Sequence, residues 1–379
     1  MKHLIVCCDG TWNRADQVVD GVVSPTNVWK LKSALADEDH EGNTQLVHYL
    51  EGVGTRRWER ITGGGLGVGL SRNVQAAYRF LFENYEPGDE LYLFGFSRGA
   101  FTARSTAGLV RNAGILRPEH LGRCEDAYKL YRSGDPAKRP SGEAAKAFRQ
   151  AYSYPDVRIK LIGVWDTVGA LGIPIDGFRP PFLSRLWTFH DATLSSAVDN
   201  AFHAVSIDER RGPFKPTLWV EDEKDGGGLA KSTPEQTVEQ VWFAGVHSDV
   251  GGGYPDPSLS EIPLRWMAAK AADCGLAFKP DRLVHKARDC DAGRRCLGIE
   301  VAPNLRADLH DSRKGMYRLM PAYDRGLRAP KGEAVGPWLA SSAGTRYDED
   351  AAYRSPGLEA WVTGKRPVTQ VPDGREITV

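Results

Sequence analysis

The chain has 379 residues, 41% hydrophobic and 26% charged, which suits a globular protein of one large domain or two small ones. Its 49 basic residues balance its 49 acidic ones, so it lacks the bulk positive charge expected of a nucleic-acid binder. The N-terminal apolar run stops at Asp9, too early for a signal-peptide core, and no stretch reaches the roughly 18 apolar residues of a membrane-spanning helix.

LIVCC (4–8) is a continuous apolar run halted by Asp9 and Gly10, the pattern of a strand covered on both faces. Residues 28–36 have the spacing of a short amphipathic helix, and 44–55 read as a second strand running into a glycine turn. The glycine-rich stretch 63–70 reads as a loop. It lacks the lysine of a phosphate-binding P-loop and carries no dinucleotide fingerprint. A helix over 73–85 follows, then the apolar strand ELYLFGF (90–96) and a helix from 98 that closes at Gly114.

Residues 120–156 read as polar and helical, with a break near 134–142, and 158–165 as another buried strand. The segment 172–187 is rich in proline and aromatics without a clean period. Phe178, Phe182, Trp187 and Phe189 suit either a lid over an acyl pocket or an ordinary core. A strand at 238–244 has a glycine-rich exit, 261–274 reads as a helix, and the chain after about 285 reads as irregular. The strand–helix alternation predicts an α/β domain with a mostly parallel central sheet and helices on both faces. Its core spans 1–285, with insertions at about 120–156 and 172–235, and 286–379 forms an extension packed on it. The six cysteines form neither a CxxC pair nor a zinc spacing and read as reduced thiols in a cytoplasmic protein.

GFSRG (95–99) matches G-x-S-x-G in the context that gives the pattern meaning, directly after an apolar strand and directly before a helix. The turn lifts Ser97 Oγ over the helix N-terminus, where the helix dipole favours a developing oxyanion. A serine hydroxyl needs a base and an orienting carboxylate, which in this architecture follow in the order Ser, Asp, His. Asp166 stands at the end of KLIGVWD, and His247 in the loop after WFAGV. Rival histidines are His190, His203, His285 and, ranked second, His310; Asp249 competes as the acid but is better suited to bracing its own loop. Arg98 and Arg104 suit either an anionic substrate or ordinary salt bridges.

CCDGTWN (7–13), EGVGT (51–55), FGFSRGAFTAR (94–104), GVWDTVGA (163–170) and WFAGVHSDVGGGY (242–254) occur together in this order. Together they resemble the α/β-hydrolase family that includes the phospholipase effectors of bacterial type VI secretion systems, over residues 3 to about 270. The resemblance implies the α/β-hydrolase-like fold and a Ser97–Asp166–His247 triad. It also implies an oxyanion hole from the backbone of Gly10 or Thr11 with the N–H of Arg98, and a local bracing role for Asp9. The expected chemistry is hydrolysis of a carboxylic ester, small-molecule or lipid, through an acyl-enzyme, with no metal or organic cofactor required. The alternatives are a phospholipase that serves as a secreted antibacterial effector, and a binding protein that retains the fold without catalysis.

Overall fold

The computed structural model describes residues 1–11, 13–14, 16–53, 63–169, 194–219, 236–280, 282–283, 303–327, 337–363 and 368–369. The strands are β1 (Lys2–Cys8), β2 (Val18–Val19), β3 (Val22–Val23), β4 (Thr44–Leu50), β5 (Glu90–Phe96) and β6 (Ile159–Trp165), followed by β7 (Val198–Ser206), β8 (Thr237–Phe243), β9 (Pro337–Ala340) and β10 (Val368–Thr369). Among the described residues β2 and β3 form a small antiparallel hairpin. The other eight strands make one parallel sheet in the order β10-β9-β8-β7-β6-β5-β1-β4.

Alternation along β1 explains why both faces of this sheet are covered. Ile5 and Cys7 join a core with Val28, Leu31, Trp266 and Trp361, whereas Leu4, Val6 and Cys8 join one with Tyr78, Leu81 and Ala103. Helices α1 (Asn27–Ala34), α2 (Gly63–Asn84), α3 (Arg98–Ala113), α4 (Cys124–Tyr131) and α5 (Glu143–Tyr152) precede α6 (His247–Gly251), α7 (Glu261–Asp273), α8 (Ser341–Glu349) and α9 (Pro356–Thr363). The first core takes side chains from α1, α7, α8 and α9, and the second from α2 to α5. Each large apolar side chain so buried contributes about 1.5–3 kcal/mol. The expected α/β-hydrolase-like sheet with helices on both faces is what forms.

Three local expectations differ. The glycine stretch 63–70 is helical: α2 begins at Gly63. Each glycine costs about 1 kcal/mol against alanine in a helix, but Leu70, Val74, Tyr78 and Leu81 bury one face of α2, and Gly69 lies against Val53. Packing overrides propensity there. Within 172–235, expected as an insertion, residues 198–206 form β7 at the heart of the sheet. Its polar residues hide the strand pattern, yet they are satisfied by neighbours: Asn200 donates to Lys160 O at 2.9 Å, and His203 pairs with Gln240 at 3.3 Å. Beyond 285, β9, α8 and α9 are too short to show a period, and β9 is fixed by pairing with β8.

Cys7, Cys8, Cys124 and Cys274 are buried and free. No helix among the described residues is long and apolar enough to cross a membrane. The candidate lid at 172–190, its four aromatics, His190, His285, Cys290 and Cys296 lie outside the described residues.

Candidate active site

Parallel strands deliver their carboxyl ends to one edge of the sheet, where open α/β folds bind ligands. Cys8 pairs with Gly95, Phe96 with Trp165, Trp165 with Ala204 and Ser206 with Phe243, so the residues after β1, β5, β6, β7 and β8 all emerge side by side. Those residues are the Asp9 loop, Ser97, Asp166, the 207–211 segment and the approach to His247.

Ser97 has φ 56° and Asp166 φ 37°, left-handed conformations that cost an L residue about 1–3 kcal/mol each. Neighbouring strands hold them there: Ser97 N donates to Trp165 O at 3.0 Å and Asp166 N to Ala204 O at 2.7 Å. The elbow also demands glycine by space. A Cβ on Gly95 would lie 2.5 Å from Gly99 O, and one on Gly99 would lie 2.1 Å from Cys8 O. The first turn of α3 therefore presses directly on the loop that follows β1.

His247 opens α6. A Cβ on Gly251 would lie 2.0 Å from the Phe96 ring, so that close approach brings α6 onto the elbow strand. The imidazole bridges the other two predicted residues: Nδ1 is 2.5 Å from Asp166 Oδ2, and Nε2 is 2.9 Å from Ser97 Oγ. Ser97 and His247 are each 5% exposed and Asp166 is 0% exposed. Phe96 and Phe214 flank the imidazole, with ring centroids 4.6 and 4.9 Å away. Burial depresses the imidazole pKa below its ordinary value, and the Asp166 carboxylate only partly opposes this. Burial alone would raise the Asp166 pKa. Arg325 and His247 instead hold it well below the usual carboxylate range.

The loop after β1 is organised by Asp9, as expected. Its carboxylate accepts from Gly10 N at 2.7 Å, Thr26 Oγ1 at 2.8 Å and Tyr49 Oη at 2.5 Å, while burial pushes its pKa up to about 6. Gly10 thus has its amide turned to Asp9 rather than toward Ser97, which corrects its candidacy as an oxyanion donor. Thr11 and Arg98 are both buried beside the elbow.

The rival residues go elsewhere. Asp249 accepts from Val246 N at 3.0 Å and pairs with His310 Nδ1 at 2.6 Å, and His310 stacks on Tyr254. His203 lies in the core, where its Nε2 accepts from Thr167 N at 3.1 Å and burial lowers its pKa to about 3. Arg104 is buried over the Trp219 ring and donates to Thr217 O, which removes it as a surface anchor for an anionic substrate.

Two further groups carry no signal in the sequence. Glu209 is fully buried, accepts from His247 N at 3.3 Å and Ser312 Oγ at 2.9 Å, and is clasped by Arg211. Arg325 forks onto both oxygens of Asp166, at 2.6 and 3.1 Å. Neither sits in a recognisable local pattern, and only the fold brings them to the site.

Residues 2–270 match the family described as "T6SS, Phospholipase effector Tle1-like, catalytic domain". An uncharacterized protein of Saccharomyces cerevisiae is 26% identical over 443 residues, covering 82% of this chain and 61% of that protein. The chain thus spans about three fifths of the length of that curated relative. Among solved structures, an uncharacterized protein from Pseudomonas aeruginosa aligns with TM-score 0.46 and 21% identity over 73% of this chain and 46% of that one. The Tle1 effector bound to the VgrG spike of the type 6 secretion system aligns with TM-score 0.35 and 19% identity, over 66% of this chain and 51% of that one. With the family match spanning well over half of its length, the chain belongs to the Tle1-like catalytic-domain family of type VI secretion phospholipase effectors.

Proposed function

We propose that this protein is a serine hydrolase of lipid carboxylic esters, with Ser97 as nucleophile, His247 as general base and acid, and Asp166 as the orienting carboxylate. One observation carries the reading: a single buried imidazole spans the serine hydroxyl and the aspartate, at 2.9 and 2.5 Å. Ser97 Oγ attacks the ester carbonyl while His247 Nε2 takes its proton, and Asp166 stabilises the imidazolium. The tetrahedral oxyanion is met by the backbone N–H groups of Thr11 and Arg98, at the N-terminus of α3. Collapse expels the alcohol, which receives the proton from His247. Water then attacks the acyl-enzyme with the same imidazole as base, releasing the acid and restoring Ser97.

Membership of the phospholipase family supports a phospholipid as the substrate and a lysophospholipid as the first product. It equally supports a role as a secreted effector directed at membranes. The test combines labelling with a fluorophosphonate probe and fatty-acid release from vesicles of phosphatidylethanolamine and phosphatidylglycerol. Labelling confined to Ser97, with release lost in Ser97→Ala, is the expected result. Turnover of short-chain aryl esters without release from vesicles would restrict the activity to small soluble esters. Absence of any labelling of the wild type would reject the hydrolase reading in favour of a non-catalytic binding protein.

A further inference from the structure

We infer that Arg325 is a positioning residue for the acid–base pair, a buried cation that fixes the Asp166 carboxylate and sets the pH range over which His247 works. This rests on the triad reading above. Asp166 Oδ1 accepts from Arg325 Nη1 at 2.6 Å and from Ser206 N at 3.1 Å. Oδ2 accepts from Arg325 Nη2 at 3.1 Å and meets His247 Nδ1 at 2.5 Å. The guanidinium is itself immobilised, because Nη1 also donates to Ser206 O at 2.9 Å and Oγ at 2.6 Å, and Nη2 to Phe214 O. Its side chain is 1% exposed, and a forked, planar contact of this kind fixes the carboxylate plane as well as its charge.

Arg325 also lies beyond residues 2–270, the part of the chain that matches the family. Its segment is tied to the site at several points. Ala322 bridges to Arg211, His310 pairs with Asp249, Ser312 donates to Glu209, and Gly357 of α9 backs onto the Arg325 carbonyl. In this protein the acid's environment is therefore completed from the C-terminal quarter of the chain.

The electrostatic consequence has a definite sign. A carboxylate beside an imidazole normally raises the imidazole's basicity, whereas here a second cation shares that carboxylate. Among the described residues, the other charged groups facing the pair are Glu209 and Arg211, which neutralise each other in a 2.8 Å ion pair. His203 behind Asp166 is neutral, held so by burial and by Arg104. Removing the Arg325 charge therefore makes the Asp166–His247 pair hold its proton more tightly, and the acid limb of kcat/KM moves to higher pH.

The experiment measures kcat, KM and the pH profile of a short-chain aryl ester, with fluorophosphonate labelling of Ser97, for the wild type, Arg325→Met and Arg325→Lys. For Arg325→Met the acid limb should rise by about one pH unit or more, and kcat should fall about 100-fold with KM little changed. Arg325→Lys keeps the charge but loses the fork, so its limb should stay within about half a unit while kcat falls on the order of 10-fold. A folded Arg325→Met enzyme with the wild-type limb would reduce Arg325 to a structural ion pair and overturn the inference. If Arg325→Met fails to fold, Arg325→Lys decides: a wild-type kcat in that variant overturns positioning by the fork. A wild type that does not label at Ser97 defeats the triad reading itself, and the inference with it. A labelled wild type with an unmoved limb defeats only the role of Arg325.

Discussion

The nucleophile elbow and the cradle of Asp166 stand at the ends of adjacent strands, but they are built in opposite ways. The elbow is local: Ser97 is strained by its own turn, and the space for it comes from Gly95 pressed against Gly99 and Gly99 against Cys8. The cradle is assembled from distant parts of the chain, with Ser206, His247 and Arg325 all converging on one carboxylate. In the elbow the fold holds a strained backbone. In the cradle it compensates a buried charge. Chemistry and stability should therefore separate at the Ser97 side chain and fall together in the cradle.

The largest effects test that separation. Ser97→Ala should lower ester hydrolysis by at least about 10⁴-fold, while its stability measured by chemical denaturation changes by less than about 1 kcal/mol. A large loss of stability there would blur the distinction. Asp166→Asn should cost on the order of 10⁴-fold in kcat and also about 3 kcal/mol or more of stability, because a neutral amide leaves Arg325 buried without its counter-charge. An Asp166→Asn protein as stable as wild type would deny the cradle its structural role. If Asp249→Asn did the catalytic damage instead, the acid would be Asp249.

Gly99→Ala sharpens the elbow side. Its new methyl would sit 2.1 Å from Cys8 O, so the loop after β1 must shift, costing about 1–3 kcal/mol and about 10²-fold in rate by misplacing the oxyanion donors. Wild-type kinetics in that variant would show that the loop and the elbow are not coupled.

The pH profile makes a smaller and more specific claim. His247 must be neutral to accept a proton, and burial lowers its pKa from the ordinary 6.5. In the wild type kcat/KM should therefore stay flat at neutral pH and fall only below 6.5. A limb centred above that value would contradict the buried geometry. The smallest effect is expected for His310→Ala, which should retain most activity because His310 serves Asp249 rather than Ser97.

The contrast between the two regions also explains what could be read in advance. β1, β5 and β6 announce themselves as apolar runs, and GFSRG between a strand and a helix points to Ser97 from sequence alone. Asp166 and His247 follow from their positions at strand ends. β7 escapes because Asn200 and His203 break its pattern, their polar atoms being satisfied by Lys160 O on β6, Gln240 on β8 and Thr167 N just past β6. Gly63–Leu70 reads as a loop because propensity cannot register the tertiary packing of α2. Arg325 is invisible for a stronger reason: one of several arginines in irregular sequence, it acquires meaning only from a carboxylate 159 positions earlier.

That separation has a consequence for the protein's birth. Synthesis runs at about 5–20 residues per second, and 78 residues separate His247 from Arg325 (325 minus 247), so an emerging chain carries Ser97 and His247 for about 4–16 seconds before Arg325 leaves the ribosome. Until then the Asp166 carboxylate has no Arg325 to hold it. Chain order thus sets a delay between making Ser97 and completing the Asp166 cradle. The proposed site is complete only once residue 325 has been translated.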